Sequence, residues 1–228
     1  MEQSSDDAGT SDDKAFEPDT VHYRIMVCMA HSLQLVINLP HYNVVLTTTR
    51  YLVGRIRKSG MAMQKLHLKC GGKTVFTDNA TRWNSTFNMI KRLLTLRSDV
   101  NELLSDLRID SLQIMECDRL TELCSLLELF ATQTNILQSD SRSLSYHAIP
   151  ALFDVEVGMP PAQLQPESRS GQAYMHSDLK QRFCRLSEPN SQTFNPVPAA
   201  SCLLNHTVAA VMQTKELSSL SEAAKHLF

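Results

Sequence analysis

One stretch constrains this chain more than any other: residues 77–97, Thr-Asp-Asn-Ala-Thr-Arg-Trp-Asn-Ser-Thr-Phe-Asn-Met-Ile-Lys-Arg-Leu-Leu-Thr-Leu-Arg. It holds the only tryptophan, Trp83. From there apolar residues recur at Phe87, Ile90 and Leu94, at steps of four, three and four, which places them on one stripe of an α-helix. Asp78, Asn79 and Thr81 stand just before it, and each side chain can accept a hydrogen bond from the free N–H groups of a helix start. Arg82, Lys91, Arg92 and Arg97 place positive charge around the stripe. Two readings of Trp83 follow. It is either the first core residue of a capped amphipathic helix or an aromatic held at the surface among bases, and a half-buried ring satisfies both.

The rest of the chain is consistent with a mainly α fold, a helical bundle. Gly is sparse, 7 in 228 residues, and aromatics make up 6%, which favours helices over a turn-rich β architecture. Residues 1–20 are polar and acidic, without periodicity, and are expected to be disordered. Residues 23–28 form the best strand candidate, running into a helix over 30–38 that ends before Pro40. A long helical pattern covers 44–69, with Val45, Leu52, Val53, Ile56, Met63 and Leu66 inward and Gly60 as an interruption. Gly71-Gly72 breaks the chain. Helices are expected over 83–109 and 120–137, packing together to bury Leu52, Ile56, Phe87, Ile90, Leu123 and Leu127. Residues 139–170, rich in Ser and Pro, read as a linker around a short helical piece near 148–157. Further helices are expected over 172–188, 199–212 and 217–228.

This organisation divides into an acidic arm (1–20), a strand-plus-helix unit (21–40), a helical body (41–138), a linker (139–170) and C-terminal helices (171–228). No apolar run approaches the roughly 20 residues of a membrane span, and the polar start does not resemble a signal peptide, so an intracellular protein is expected. The six cysteines lack a framework spacing and read as reduced thiols.

Charge is unevenly distributed. Residues 1–19 carry seven acids against Lys14, whereas residues 50–97 carry eleven bases, Arg57 and Lys58 among them, against Asp78 alone. A block this basic suits a polyanion, because phosphate contacts release condensed counterions; a solvated basic face is the other reading. Cys28 and His31 have Cys-x-x-His spacing, yet no second pair stands at finger spacing, so a packed structural pair is expected in place of zinc. Asp12 and Asp13 lack a preceding strand, and Glu116, Asp118, Glu122 and Glu128 fall on a helix. No phosphate loop or nucleophile elbow is present, and the residues by themselves compose no complete active site.

Two motifs carry a resemblance. Cys28-Met29-Ala30-His31-Ser32-Leu33-Gln34-Leu35 is similar to the Cys-x-x-His-x-Leu-x-Leu signature of hAT-superfamily transposases and their domesticated relatives, the BED-type zinc-finger proteins. About fifty residues on, Thr81-Arg82-Trp83-Asn84-Ser85-Thr86 resembles the Thr-Arg-Trp-Asn-Ser-Thr motif of that family, followed by its Met/Leu-rich helix. Arg57-Lys58-Ser59, the 120–137 helix and, more loosely, Leu203-Leu204-Asn205 (with His206 in place of a proline) are also family-like. The resemblance implies that the helices form the insertion domain of an RNase H-like transposase, with at most a remnant of its mixed sheet.

By the same resemblance, Trp83 stacks near a base at the DNA end, Arg82 contacts phosphate, and Cys28 and His31 position DNA without binding zinc. The metal-binding Asp/Asp/Glu set of such transposases is not complete here: only Asp12 falls near a family aspartate, and by spacing alone. The BED finger and the dimerisation region are expected outside the chain. These implications give a non-catalytic, transposon-derived DNA-binding fragment, nuclear, with DNA as partner and no cofactor or metal. The alternatives are a helical protein-interaction module with no nucleic-acid role, or a truncated gene product.

Overall fold

The computed structural model describes residues 29–37, 39–79, 82–139, 145–159 and 166–226. The 23–28 strand, the acidic arm, Asp12 and Cys28 lie outside these residues. Every regular element described is helical, in agreement with the expected helical bundle: α1 (Met29–Val36), a 3-10 turn (Pro40–Tyr42), α2 (Asn43–Lys58), α3 (Gly60–Lys69), α4 (Trp83–Thr95), α5 (Arg97–Asp106), α6 (Ile114–Ser139), α7 (Ser145–Gly158), α8 (Pro166–Ser187), α9 (Val197–Leu204), 3-10 turns at Ala209–Gln213 and Lys215–Leu217, and α10 (Ser218–Lys225). Among the described residues no helix is long and apolar enough to cross a membrane.

The long pattern over 44–69 is two helices. Ser59 turns extended (φ −95°, ψ 106°) and its Oγ accepts from Ala62 N–H at 3.2 Å, so the break falls one residue before Gly60 and is an N-cap. Basic residues Arg55, Arg57 and Lys58 fill the last turn of α2, where cations oppose the helix dipole. At the end of α3, Gly71 (φ 57°) and Gly72 (φ 85°) take left-handed backbone that only glycine adopts cheaply, and Gly72 N–H closes back on His67 O at 2.8 Å. The 83–109 pattern is likewise two helices, kinked where buried Leu96 leaves helical geometry (φ −100°, ψ 13°).

Central to the bundle is α6, which packs against α1, α2, α4 and α7. It begins six residues before the expected 120. Glu116 reaches back to accept from Gln113 N–H at 2.9 Å, half of a capping box, while Ile114 and Met115 stay exposed and leave no apolar signal. Leu120, Leu123, Leu126, Leu127 and Phe130 are all fully buried, a face wider than the roughly 100° stripe of a surface helix. The expected core residues Leu52, Ile56, Phe87, Ile90, Leu123 and Leu127 are all buried in one continuous cluster with them.

The short helical piece expected near 148–157 within the 139–170 linker is longer than its sequence reading, Ser145–Gly158. It is a full helix, with Ala148, Ile149, Ala151, Leu152 and Val155 buried, and it packs on α6 and α9. Pro150 has no N–H for the carbonyl one turn back, that of Tyr146. Cys202 Sγ of α9 donates to this Tyr146 oxygen at 3.1 Å, so the carbonyl that Pro150 leaves without a helical partner is bonded by a thiol 56 positions along the chain from it. On the other side, α8 approaches the first 3-10 turn so closely that a Cβ on Gly171 would sit 3.1 Å from Tyr42 Cε2. The Tyr42 phenol is buried there, and burial, then the Glu122 charge, push its pKa to about 12.

If α6 is the centre of the core, Phe130→Ala should lower the unfolding free energy by about 3–5 kcal/mol. Tyr51→Ser, at a position 59% exposed, should change it by less than about 0.5 kcal/mol. Denaturant unfolding followed by circular dichroism measures both, and comparable losses would mean that the core is centred elsewhere.

Candidate nucleic-acid interface

Between α3 and α4 the chain has no regular structure over residues 73–79 and is tied down on both sides. Val75 is buried, and Phe76 is half-buried with the Arg92 guanidinium 5.6 Å from its ring centroid. From α4, Arg92 Nη1 donates to Thr74 O at 3.1 Å; from α2, Arg57 Nη1 donates to the Thr77 hydroxyl. The strongest tie is at Asp78. Arg50 of α2 donates through Nε to both carboxylate oxygens at 3.0 Å and through Nη2 to Oδ2 at 2.7 Å, and Thr86 of α4 donates its hydroxyl to Oδ2 at 2.7 Å.

The Asp78 side chain is only 3% exposed, against 30% for Arg50. Burial by itself raises the Asp78 pKa. The Arg50 and Thr86 hydrogen bonds and the Arg50 charge together outweigh it and hold the carboxyl below its ordinary value, while Arg50 is raised by the same bond.

This arrangement corrects the expected capping. Asp78 is spent on Arg50 and Thr86, Thr81 lies outside the described residues, and the N-cap position is Arg82, with no side-chain cap bond. Ser85 organises the entry instead: its Oγ accepts from Asn79 N–H at 2.8 Å and lies 2.7 Å from Arg82 O and 2.9 Å from Asn79 O. Trp83 therefore opens α4 half-buried, packed against the core, with Arg82 and Asn84 exposed on either side of it. Its stripe is also wider than the sequence spacing indicated: Thr86, Met89 and Leu93 are buried beside Phe87 and Ile90.

Arg57 shares this surface through Thr77, one residue from Asp78. Lys58, also exposed, borders a shallow cleft of about 200 Å³ with Arg55, Ser59, Leu107 and Ile109. His31 is exposed on α1, which packs mainly on α6 and α8, so it is carried by a different helix from Trp83. Five cysteines, Cys70, Cys117, Cys124, Cys184 and Cys202, are free thiols. No group of three or more His, Cys, Asp or Glu among the described residues is placed to hold a metal ion.

The basic block is less uncompensated than its sequence count against Asp78 alone. Lys65 pairs with Asp106, Lys69 with Glu102 and, at 3.5 Å, Asp99, and Lys91 with Glu128 at 2.6 Å. These acids come from α5 and α6, downstream of the block. Arg55, Arg57, Lys58, Lys73, Arg82, Arg92 and Arg97 have no ion pair among the described residues. A second basic feature escaped the sequence reading. Lys73, Phe76, Asn88, Lys91, Arg92 and Thr95 line a groove of about 390 Å³ on the outer face of α4. Its only sequence signal is the step of three, one and three from 88 to 95, which marks one helical face.

Asp78→Asn should cost about 2 kcal/mol of stability at pH 7, because a charge-assisted, nearly buried partner of Arg50 is lost. A carboxyl whose folded pKa lies below its unfolded value of about 3.9 contributes stability above that pH and loses it as pH falls through the folded pKa. The wild type should therefore lose stability below about pH 4, and Asp78→Asn should lose less over the same range. Parallel acid-denaturation curves for the two proteins would contradict the assignment.

No curated protein and no solved structure matches the chain. Residues 26–125, which contain both the Cys-x-x-His and the Arg-Trp motifs and reach from α1 into the first half of α6, match the family model of the ZBED1 RNase-like helical domain, and over this stretch the chain is similar to that domain.

Proposed function

We propose that this chain is a transposase-derived, non-catalytic DNA-contacting module that acts in the nucleus, with the start of α4 as its main contact. The observation that carries the reading is the pairing of half-buried Trp83 with exposed Arg82 at the start of α4, where Arg82 itself makes no side-chain cap bond. The positive end of the helix dipole favours a phosphate there. A ring anchored on the core at one edge offers the other to a base, and such stacking contributes about 1–3 kcal/mol. Arg57, Lys58 and Arg55 continue the positive surface along the end of α2, and they lack the carboxylate partners that Lys65 and Lys69 have. His31 and Cys28 are assigned a secondary, positioning role. The match over residues 26–125 supports this reading through the transposase kinship of the domain it names.

A specific observation favours a second reading, a helical protein-interaction module. Part of the basic block is internally neutralised, and Met61 (84% exposed) and Leu68 (75%) flank an open cleft of about 440 Å³ between α3 and α5. The two readings differ in salt response. Binding of hairpin or single-stranded DNA through phosphates should weaken steeply as salt rises. Trp83→Ala should weaken it by about 1–3 kcal/mol. Because the ring is only half-buried, the melting temperature should fall by less than full excision of a core aromatic, about 3–5 kcal/mol, would cause. Salt-independent or undetectable DNA binding would favour the protein-interaction module.

A further inference from the structure

The geometry points to a second nucleic-acid contact on this molecule: the groove on the outer face of α4 holds a backbone phosphate and the adjoining base of a single strand. This inference rests on the DNA-contacting reading and adds a site on another face of the helix that begins at Trp83. Arg92 is the organising group. Its guanidinium is fixed before any ligand arrives, by the bond to Thr74 O at 3.1 Å and by its place over the Phe76 ring. One of five N–H donors is used there, which leaves others for a phosphate in a planar fork.

Lys73 lines the same groove, directly after the two left-handed glycines, exposed and without an ion pair among the described residues. Asn88 is exposed on the groove wall with an amide able to donate. Lys91 already meets Glu128 and lies 5.3 Å from the Phe87 ring centroid, so it contributes charge at the rim more than a free donor. Thr95, exposed on the groove wall, donates its hydroxyl to Lys91 O at 2.7 Å.

A cation in the last turn of a helix also offsets the helix dipole, and Arg92 is in that position. Lys73 belongs to no helix, so the dipole does not account for it. An acidic peptide would satisfy the cations but leave the Phe76–Arg92 stack unused. A nucleotide uses both, with phosphate on the cations and base against the stacked ring and guanidinium. A volume of about 390 Å³ lies in the range of small-ligand clefts and is far too small for a duplex.

The test is fluorescence-anisotropy binding of the full chain to a short labelled oligothymidylate over a range of salt, with unlabelled polyglutamate as competitor. The variants Lys73→Gln and Asn88→Asp alter exposed positions and should keep the helical melting curve. Lys73→Gln should weaken binding several-fold and flatten the slope of log affinity against log salt by about 0.7, the value of one phosphate contact on a single strand. Asn88→Asp, which places a carboxylate beside Lys91 and Arg92, should weaken it at least as much. If both variants bind like the wild type while Arg82→Ala binds poorly, the groove is overturned and the DNA reading stands. Absence of salt-dependent binding by the wild type overturns both, and polyglutamate competing as well as unlabelled oligothymidylate overturns the nucleic-acid assignment of the groove.

Discussion

The carboxylate of Asp78 is the joint on which the candidate interface depends. It is nearly buried, and only the bidentate Arg50 and the Thr86 hydroxyl make an ionised group acceptable there. Through it α2, the 73–79 segment and α4 are held as one unit, and the position of Trp83 at the mouth of α4 follows. Had Asp78 capped α4 in the ordinary way, Arg50 would lose its carboxylate partner. The fold uses the acid to hold two helices together.

Charge pairing across the bundle sorts the basic residues into two groups. Lys65, Lys69 and Lys91 are balanced by acids on α5 and α6, and such exposed pairs contribute little to stability because water and salt screen them. Their larger effect is to remove charge from part of the surface. The positive potential that remains is concentrated at the end of α2, at the start of α4 and along the α4 groove. A count of bases along the chain cannot make that distinction, because the neutralising acids stand thirty or more residues downstream.

Much of the fold was legible in the sequence. Repeats of three and four marked α2, α4 and α6 and picked out Leu52, Ile56, Phe87, Ile90, Leu123 and Leu127 as core, because a helix with one buried face must repeat its apolar residues at its own period. Their ends were less legible. Ile114 and Met115 are helical yet exposed, so they carry no pattern, and the break at Leu96 lies within helical spacing that continues through Leu93, Leu96, Val100, Leu103 and Leu104. Of the helix over 145–158 the piece near 148–157 was legible, but its first turn, ahead of Pro150, was not, and the α9 thiol that bonds the Tyr146 carbonyl lies beyond any local reading.

The sequence by itself determined that this is a helical chain with a basic middle and a Trp-bearing helix start, since periodicity, sparse glycine and residue charge are local properties. It also carried the Cys-x-x-His and Arg-Trp motifs on which the family likeness rests. The half-buried Trp83 expected from its stripe and its basic neighbours is what the structure has; only the tertiary structure decided which bases stay unpaired, that Asp78 joins helices where a cap was expected, and that Lys73 and Arg92 line one groove. Each of these depends on the distance between side chains far apart in the chain. A carboxylate or an aromatic ring acts through the groups that packing brings within a few ångströms, and packing is a property of the whole bundle.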